Sequence, residues 1–240
     1  MKVIICKDYK EMSVQAAKIV CEVMTKKKNA ILGLATGSTP VGMYQELIAL
    51  NKAGKIDFSD ITTVNLDEYY PIEPTNDQSY RYFMNVNLFD HVNIDKNRTF
   101  VPTGNASDGE EEAKRYEAFV RSLGGADIQV LGIGRNGHIA FNEPADELVP
   151  VTHVTSLTED TIDANARFFA SSEDVPRYAL TMGIGTILSA KKIIILANGK
   201  GKHDAVMKML KGTVTTSCPA SFLNLHDDVT VFCDQDAYKG

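Results

Sequence analysis

The chain has 240 residues, 44% hydrophobic and 23% charged, with a formal net charge of −6 and a pI near 5.4. A chain of this size can bury a core without a disulfide or metal staple. The run Lys26–Lys28 is its only dense basic stretch, which argues against duplex nucleic acid as a partner because that needs concentrated positive charge. An anionic small molecule needs only two or three local cations and stays open.

From the N-terminus, MKVIICKDYKEM is interrupted by charge too soon for a signal peptide, and no later apolar run is long enough to span a membrane. Cys6, Cys21, Cys218 and Cys233 form no CxxC pair and no metal-ligand spacing, so free thiols in a reducing cytoplasm are expected. VIIC (3–6) reads as a strand and MSVQAAKIVCEVMTKKK (12–28) as a helix. NAILGLA (29–35) is a second strand, followed by a helix ending at Gly54. ITTVNLD (61–67), DIQVLGIG (127–134), KKIIILAN (191–198) and DVTVFCD (228–234) are strand-like. Helical periodicity marks 110–123, 175–190 and 202–210. Strands apolar nearly throughout, alternating with helices, predict a single α/β domain: an open, mostly parallel twisted sheet with helices on both faces. Residues 143–174 are the least regular, either a lid or a plain surface excursion.

Ligands of open parallel sheets sit beyond the carboxyl ends of the strands. Four consecutive strand ends here carry polar or charged groups: ATGSTP, DEYYP, GRNGH and NGKGK. In LGIGRNGHIAFNEP, Gly132, Gly134 and Gly137 have the GxGxxG spacing of a dinucleotide-binding turn. Such a turn must open a helix, yet Pro144 follows seven residues after Gly137, and Pro disfavours helix before it. The glycines therefore fit a sharp turn that lets backbone approach a ligand.

His138 and Glu143, with Asn136 nearby, fit either a general acid–base unit or a structural pair; metal spacing is absent. Thr36, Gly37, Ser38 and Thr39 precede a helix with Pro40 in its first turn, which suits phosphate, although Ser and Thr also cap helices. No GK[ST] follows, so this is not a Walker loop. Asp67 and Glu68 point to opposite sides if they lie on a strand, leaving one for the cleft and one for structure. Arg167 and Lys202 either complete a phosphate site or are solvated charges.

Together LGLATGSTP (32–40), NLDEYYP (65–71), GIGRNGHIAFNEP (132–144), ANARFF (164–169) and VPRYALTMGIGTIL (175–188) resemble the glucosamine-6-phosphate deaminase family. The resemblance implies hydrolytic deamination and isomerisation of glucosamine-6-phosphate to fructose-6-phosphate and ammonia, in amino-sugar breakdown, with no cofactor and no metal. It implies that His138 opens the ring, supported by Glu143 and Asn136, and that Asp67 moves the C2 proton to C1. Thr36–Thr39, Gly132, Arg167 and Lys202 would bind substrate, with Arg167 on the lid. Many members carry Asp at the position of Asn136; the neutral residue implies a lower histidine pKa than an Asp would give. Allosteric members extend beyond the position of Gly240 and have basic residues where VTHVT (151–155) stands, so no activation and a monomer or small homo-oligomer are expected. The rivals are a 6-phosphogluconolactonase, which FNEP after GHIA disfavours, and a non-catalytic sugar-phosphate sensor, which retained Asp67, His138 and Glu143 disfavour.

Overall fold

A computed structural model describes residues 1–159, 162 and 175–240. Its main sheet has seven strands in the order β1-β10-β9-β6-β2-β3-β5, and all of its pairs are parallel. These are β1 (Lys2–Ile5), β2 (Ile31–Leu34), β3 (Thr62–Asn65), β5 (Thr99–Phe100), β6 (Ile128–Gly132), β9 (Ile193–Ala197) and β10 (Val229–Cys233). The expected open α/β architecture is what the chain adopts.

The uninterrupted apolar strands have a direct cause. Ile193 and Ile195 face one apolar layer, while Ile194 and Leu196 face the other. The first layer holds α4 (Gly109–Ser122), α5 (Ile184–Leu188) and α6 (His203–Leu210); the second holds α1 (Tyr9–Lys26), α2 (Ser38–Lys52) and α3 (Tyr80–Asn87). A strand buried on both faces has no polar side to alternate with. Each fully buried isoleucine contributes roughly 2 kcal/mol, and truncating Ile195 to Ala would cost about 2–5 kcal/mol. A last short helix, α7 (Gln235–Lys239), follows β10.

Two expectations are corrected. The stretch 175–190, expected as one helix, is a strand, β8 (Tyr178–Thr181), followed by the short α5. An apolar run of this length does not distinguish strand from helix by periodicity, and the pairing partners decide. Here β8 is the centre of a second, three-stranded antiparallel sheet with β4 (Asp67–Tyr70) and β7 (His153–Ser156). The other correction concerns Asp67: it does not end β3 but opens β4 in this second sheet. Met182 N–H donates to Leu66 O at 2.8 Å, which fixes where the chain leaves one sheet for the other. Of the expected lid, 143–152 is irregular and 153–156 is β7, while 160, 161 and 163–174, including Arg167, lie outside the described residues.

The chain runs from β2 to β3 and β5 on one side, then returns through β6 to β9 and β10 on the other. The direction therefore reverses between β2 and β6, and crevices at such reversals are where these sheets bind ligands.

Candidate active site

The turn after β6 gives its three glycines three different tasks. A Cβ on Gly132 would meet nothing within 4 Å, so backbone there is open to an approaching molecule. A Cβ on Gly134 would lie 2.4–2.5 Å from the His138 ring atoms, so the imidazole occupies the space that only glycine leaves. Gly137 has φ +91°, where side chains are strained, and backs onto Cys218 Sγ. Ala140 follows at φ 53°, a left-handed conformation that costs a non-glycine residue roughly 1–2 kcal/mol. The turn is thus a seat for a histidine.

His138 Nδ1 lies 3.0 Å from Glu143 Oε1, at ion-pair distance though without hydrogen-bond alignment. Glu143 Oε2 accepts from the Asn136 side-chain amide at 2.5 Å. Asn136 Oδ1 in turn accepts from the backbone N–H of His138 at 3.1 Å. Asn136 therefore does not partner the imidazole itself: it orients Glu143 and closes the turn. An imidazole held beside a fixed carboxylate can take a proton from one oxygen and deliver it to another.

Asp67 and Glu68 separate as neighbours on a strand must. Glu68 accepts the backbone N–H groups of Tyr69, Tyr80 and Arg81 at 2.9, 2.8 and 2.9 Å, which makes it the anchor of α3. Burial pushes it up to about 7, against the pull of those donors and of Arg81. Asp67 is 5% exposed, and burial, helped by the Glu68 charge, pushes it up to about 8. A carboxyl poised near working pH is suited to exchange protons with carbon. Asp67 is in register with Thr181 on β8, and Thr181 Oγ1 accepts from Phe141 N at 3.1 Å. Asn142 Nδ2 also donates to Met182 O at 2.8 Å. The end of β8 thus fastens the strand of Asp67 to the loop that carries Glu143.

The ends of β2 and β9, on either side of β6, supply the positive side. Helices α1, α3 and α4 are capped by Asp8, Ser79 and Asp108, whereas α2 starts from Gly37, at φ +97°, with no side-chain cap. Ser38 and Thr39 thus do not serve as caps, and the first amides of α2 stay available to an anion. Thr39 Oγ1 donates to Asn198 Oδ1 at 2.9 Å, tying this loop to the one after β9. That second loop carries Lys202, half-buried, whose ammonium is held below its usual range by burial and by Arg135. Arg135 and Thr181 were passed over in the sequence; their only signal was position, one inside the GRNGH turn and one at a strand end.

Among the described residues, no group of three or more His, Cys, Asp or Glu could hold a metal.

A buried carboxyl, an imidazole–carboxylate pair and an uncapped helix on an α/β scaffold, with two cations on neighbouring strand ends, are the equipment of an enzyme able to do acid–base chemistry on an anionic small molecule. Residues 7–232 match the family model for glucosamine-6-phosphate isomerases and 6-phosphogluconolactonases, and the chain belongs to this family. A glucosamine-6-phosphate deaminase from Clostridium beijerinckii is 57% identical over 236 residues, covering 98% of each chain. One from Clostridioides difficile is 53% identical over 237 residues, covering 99% of this chain and 95% of that one. The solved structure of a monomeric glucosamine-6-phosphate deaminase superposes with a TM-score of 0.96 at 51% identity, covering 99% and 98% of the two chains. A 6-phosphogluconolactonase from Thermotoga maritima superposes at 0.76 with 22% identity, over 97% and 98% of the chains, and shares the fold.

Proposed function

We propose that this enzyme converts glucosamine-6-phosphate and water to fructose-6-phosphate and ammonia, in the breakdown of amino sugars. The observation that carries this reading is the His138–Glu143–Asn136 turn placed beside the strand of Asp67, in a chain more than half identical to deaminases along nearly its whole length. The family model covers lactonases too, but the 6-phosphogluconolactonases of known structure are far more distant, at 21% and 22% identity.

In this mechanism His138 accepts the proton of the C1 hydroxyl and delivers it to the ring oxygen, opening the pyranose. Glu143, held by Asn136, stabilises the transient imidazolium. Asp67 then removes the proton from C2 and returns one at C1, and the resulting ketose imine takes up water and releases ammonia. Thr36, Gly37, Ser38, Thr39, Lys202 and Arg167 hold the phosphate, with Gly132 bordering the sugar; a fixed phosphate converts remote binding energy into alignment at C1 and C2. No cofactor takes part.

We read the chain as one domain with a lid within 143–174, working in the cytoplasm as a monomer or small homo-oligomer. The free thiols of the four described cysteines and the monomeric relative support that. Among the described residues no helix is long and apolar enough to cross a membrane. The test is release of ammonia and fructose-6-phosphate from glucosamine-6-phosphate, with 6-phosphogluconolactone run in parallel. Both products in equal amounts, lost in His138→Gln, are expected; lactone hydrolysis instead would overturn the reading.

A further inference from the structure

Arg135 follows Gly134 directly, at the mouth of the β6 turn. Its guanidinium lies over Gly201: a Cβ placed there would be 3.4 Å from Nε and 4.0 Å from Cζ. The next residue is Lys202. Two cations from different strand ends thus meet at one place, and among the described residues neither forms an ion pair with a carboxylate. Asp234, which does approach this loop, is occupied by the N–H groups of Gly199 and Ala237. Like charges brought this close repel. Among the described residues no ion pair relieves that repulsion.

We infer that Arg135 is a further cation of the phosphate subsite, acting with Lys202 on one anion and selecting the dianionic form of a sugar phosphate. The inference rests on the sugar-phosphate reading above and adds a residue to it. The strands β9, β6 and β2 are neighbours in the sheet, so their ends bring Lys202, Arg135 and the uncapped start of α2 to one side of the crevice. Arginine suits the position because its planar fork grips two phosphate oxygens, while lysine supplies a point charge. A Cβ at position 201 would only touch the guanidinium in ordinary van der Waals contact, so the fork packs directly on this loop. A second full charge matters most for the dianion, which a phosphate monoester reaches above its second pKa of about 6.

The experiment compares wild type, Arg135→Gln and Arg135→Lys by KM and kcat for glucosamine-6-phosphate, inhibition by inorganic phosphate, and phosphate-dependent melting. Arg135→Gln should raise KM and the phosphate inhibition constant together by about tenfold, with kcat within about twofold, because it removes binding common to ground and transition states. Arg135→Lys should recover most of the loss. The rise of KM as pH falls from 7.5 to 5.5 should be shallower in Arg135→Gln. Unchanged KM and phosphate inhibition would overturn the inference, as would a fall in kcat at constant KM. The melting arm separates the two readings: a wild type that releases no ammonia but is stabilised by phosphate, less so in Arg135→Gln, would sink the proposed reaction and keep the anion site. A variant that melts like wild type without phosphate shows the fold intact.

Discussion

Asn136 and Glu143 are joined by a 2.5 Å hydrogen bond in which the amide donates and the carboxylate accepts, and Glu143 presents its other oxygen to His138. An amide can hold a carboxylate this way at every pH. An aspartate cannot, because two carboxylates at that distance must share a proton before both are accommodated. Asn136→Asp should therefore retain activity but couple the turn to pH. As the shared proton leaves, the added negative charge favours protonated His138, which then cannot accept the C1 hydroxyl proton. The acidic limb of the kcat/KM profile should move to higher pH by about half a unit or more. A profile superimposable on wild type would show that residue 136 does not reach the imidazole through Glu143.

Gly134 makes a second demand on the same histidine. Alanine there would put Cβ 2.4 Å from the ring, and the ring is the part free to swing away. Gly134→Ala should leave the fold intact, with melting within a few degrees of wild type, and lower kcat on the order of 100-fold, since about 1 Å of misplacement has that effect. KM should change less than kcat, because the added Cβ meets the His138 ring and not the Arg135 side chain. A variant with wild-type kcat would mean that the position of the imidazole seen here is not the working one.

The roles of these glycines explain what could and could not be read from the sequence. Pro144 was enough to dismiss a dinucleotide turn, because proline acts locally. The neighbours that define Gly134 and Gly137 depend on how the turn folds: His138 comes back onto Gly134 within it, and Cys218, against Gly137, is remote in the chain. Strands β2, β6 and β9 were legible because burial on both faces leaves a run that is apolar nearly throughout, broken in β6 by Gln129 alone. The second sheet was not: RYALTM between Pro176 and Gly183 carries as much helical as extended character, and its partners Asp67–Tyr70 and His153–Ser156 are distant. Asp67 and Glu68 were expected to divide between cleft and structure, and the three amides converging on Glu68 give the structural share to it. Arg135 was illegible for the same reason as the sheet, since a single arginine is a surface charge until Gly201 and Lys202 are brought beneath it.

Asp67 ties activity to stability with a definite sign. Its carboxyl titrates near 3.8 when free and is pushed by burial to about 8 in the fold. Between those values the unfolded chain has released a proton that the folded chain retains, so unfolding releases one and rising pH favours it. The stability associated with the protonated Asp67 is complete below pH 4 and is lost as pH rises through 8. Asp67→Asn keeps the shape without the titration. Its melting temperature relative to wild type should differ least near pH 4 and climb as pH rises to 8, reaching a gain of at least about 1 kcal/mol, or roughly 2–4 °C for a chain of this size. Activity should fall by about 10²–10⁴-fold over the same range, since the amide cannot accept the C2 proton. Melting curves of the two proteins taken in half-unit steps from pH 4 to 9 measure this directly. A constant offset between them would mean that Asp67 is not held protonated by burial, and the carboxyl would then meet its substrate already ionised.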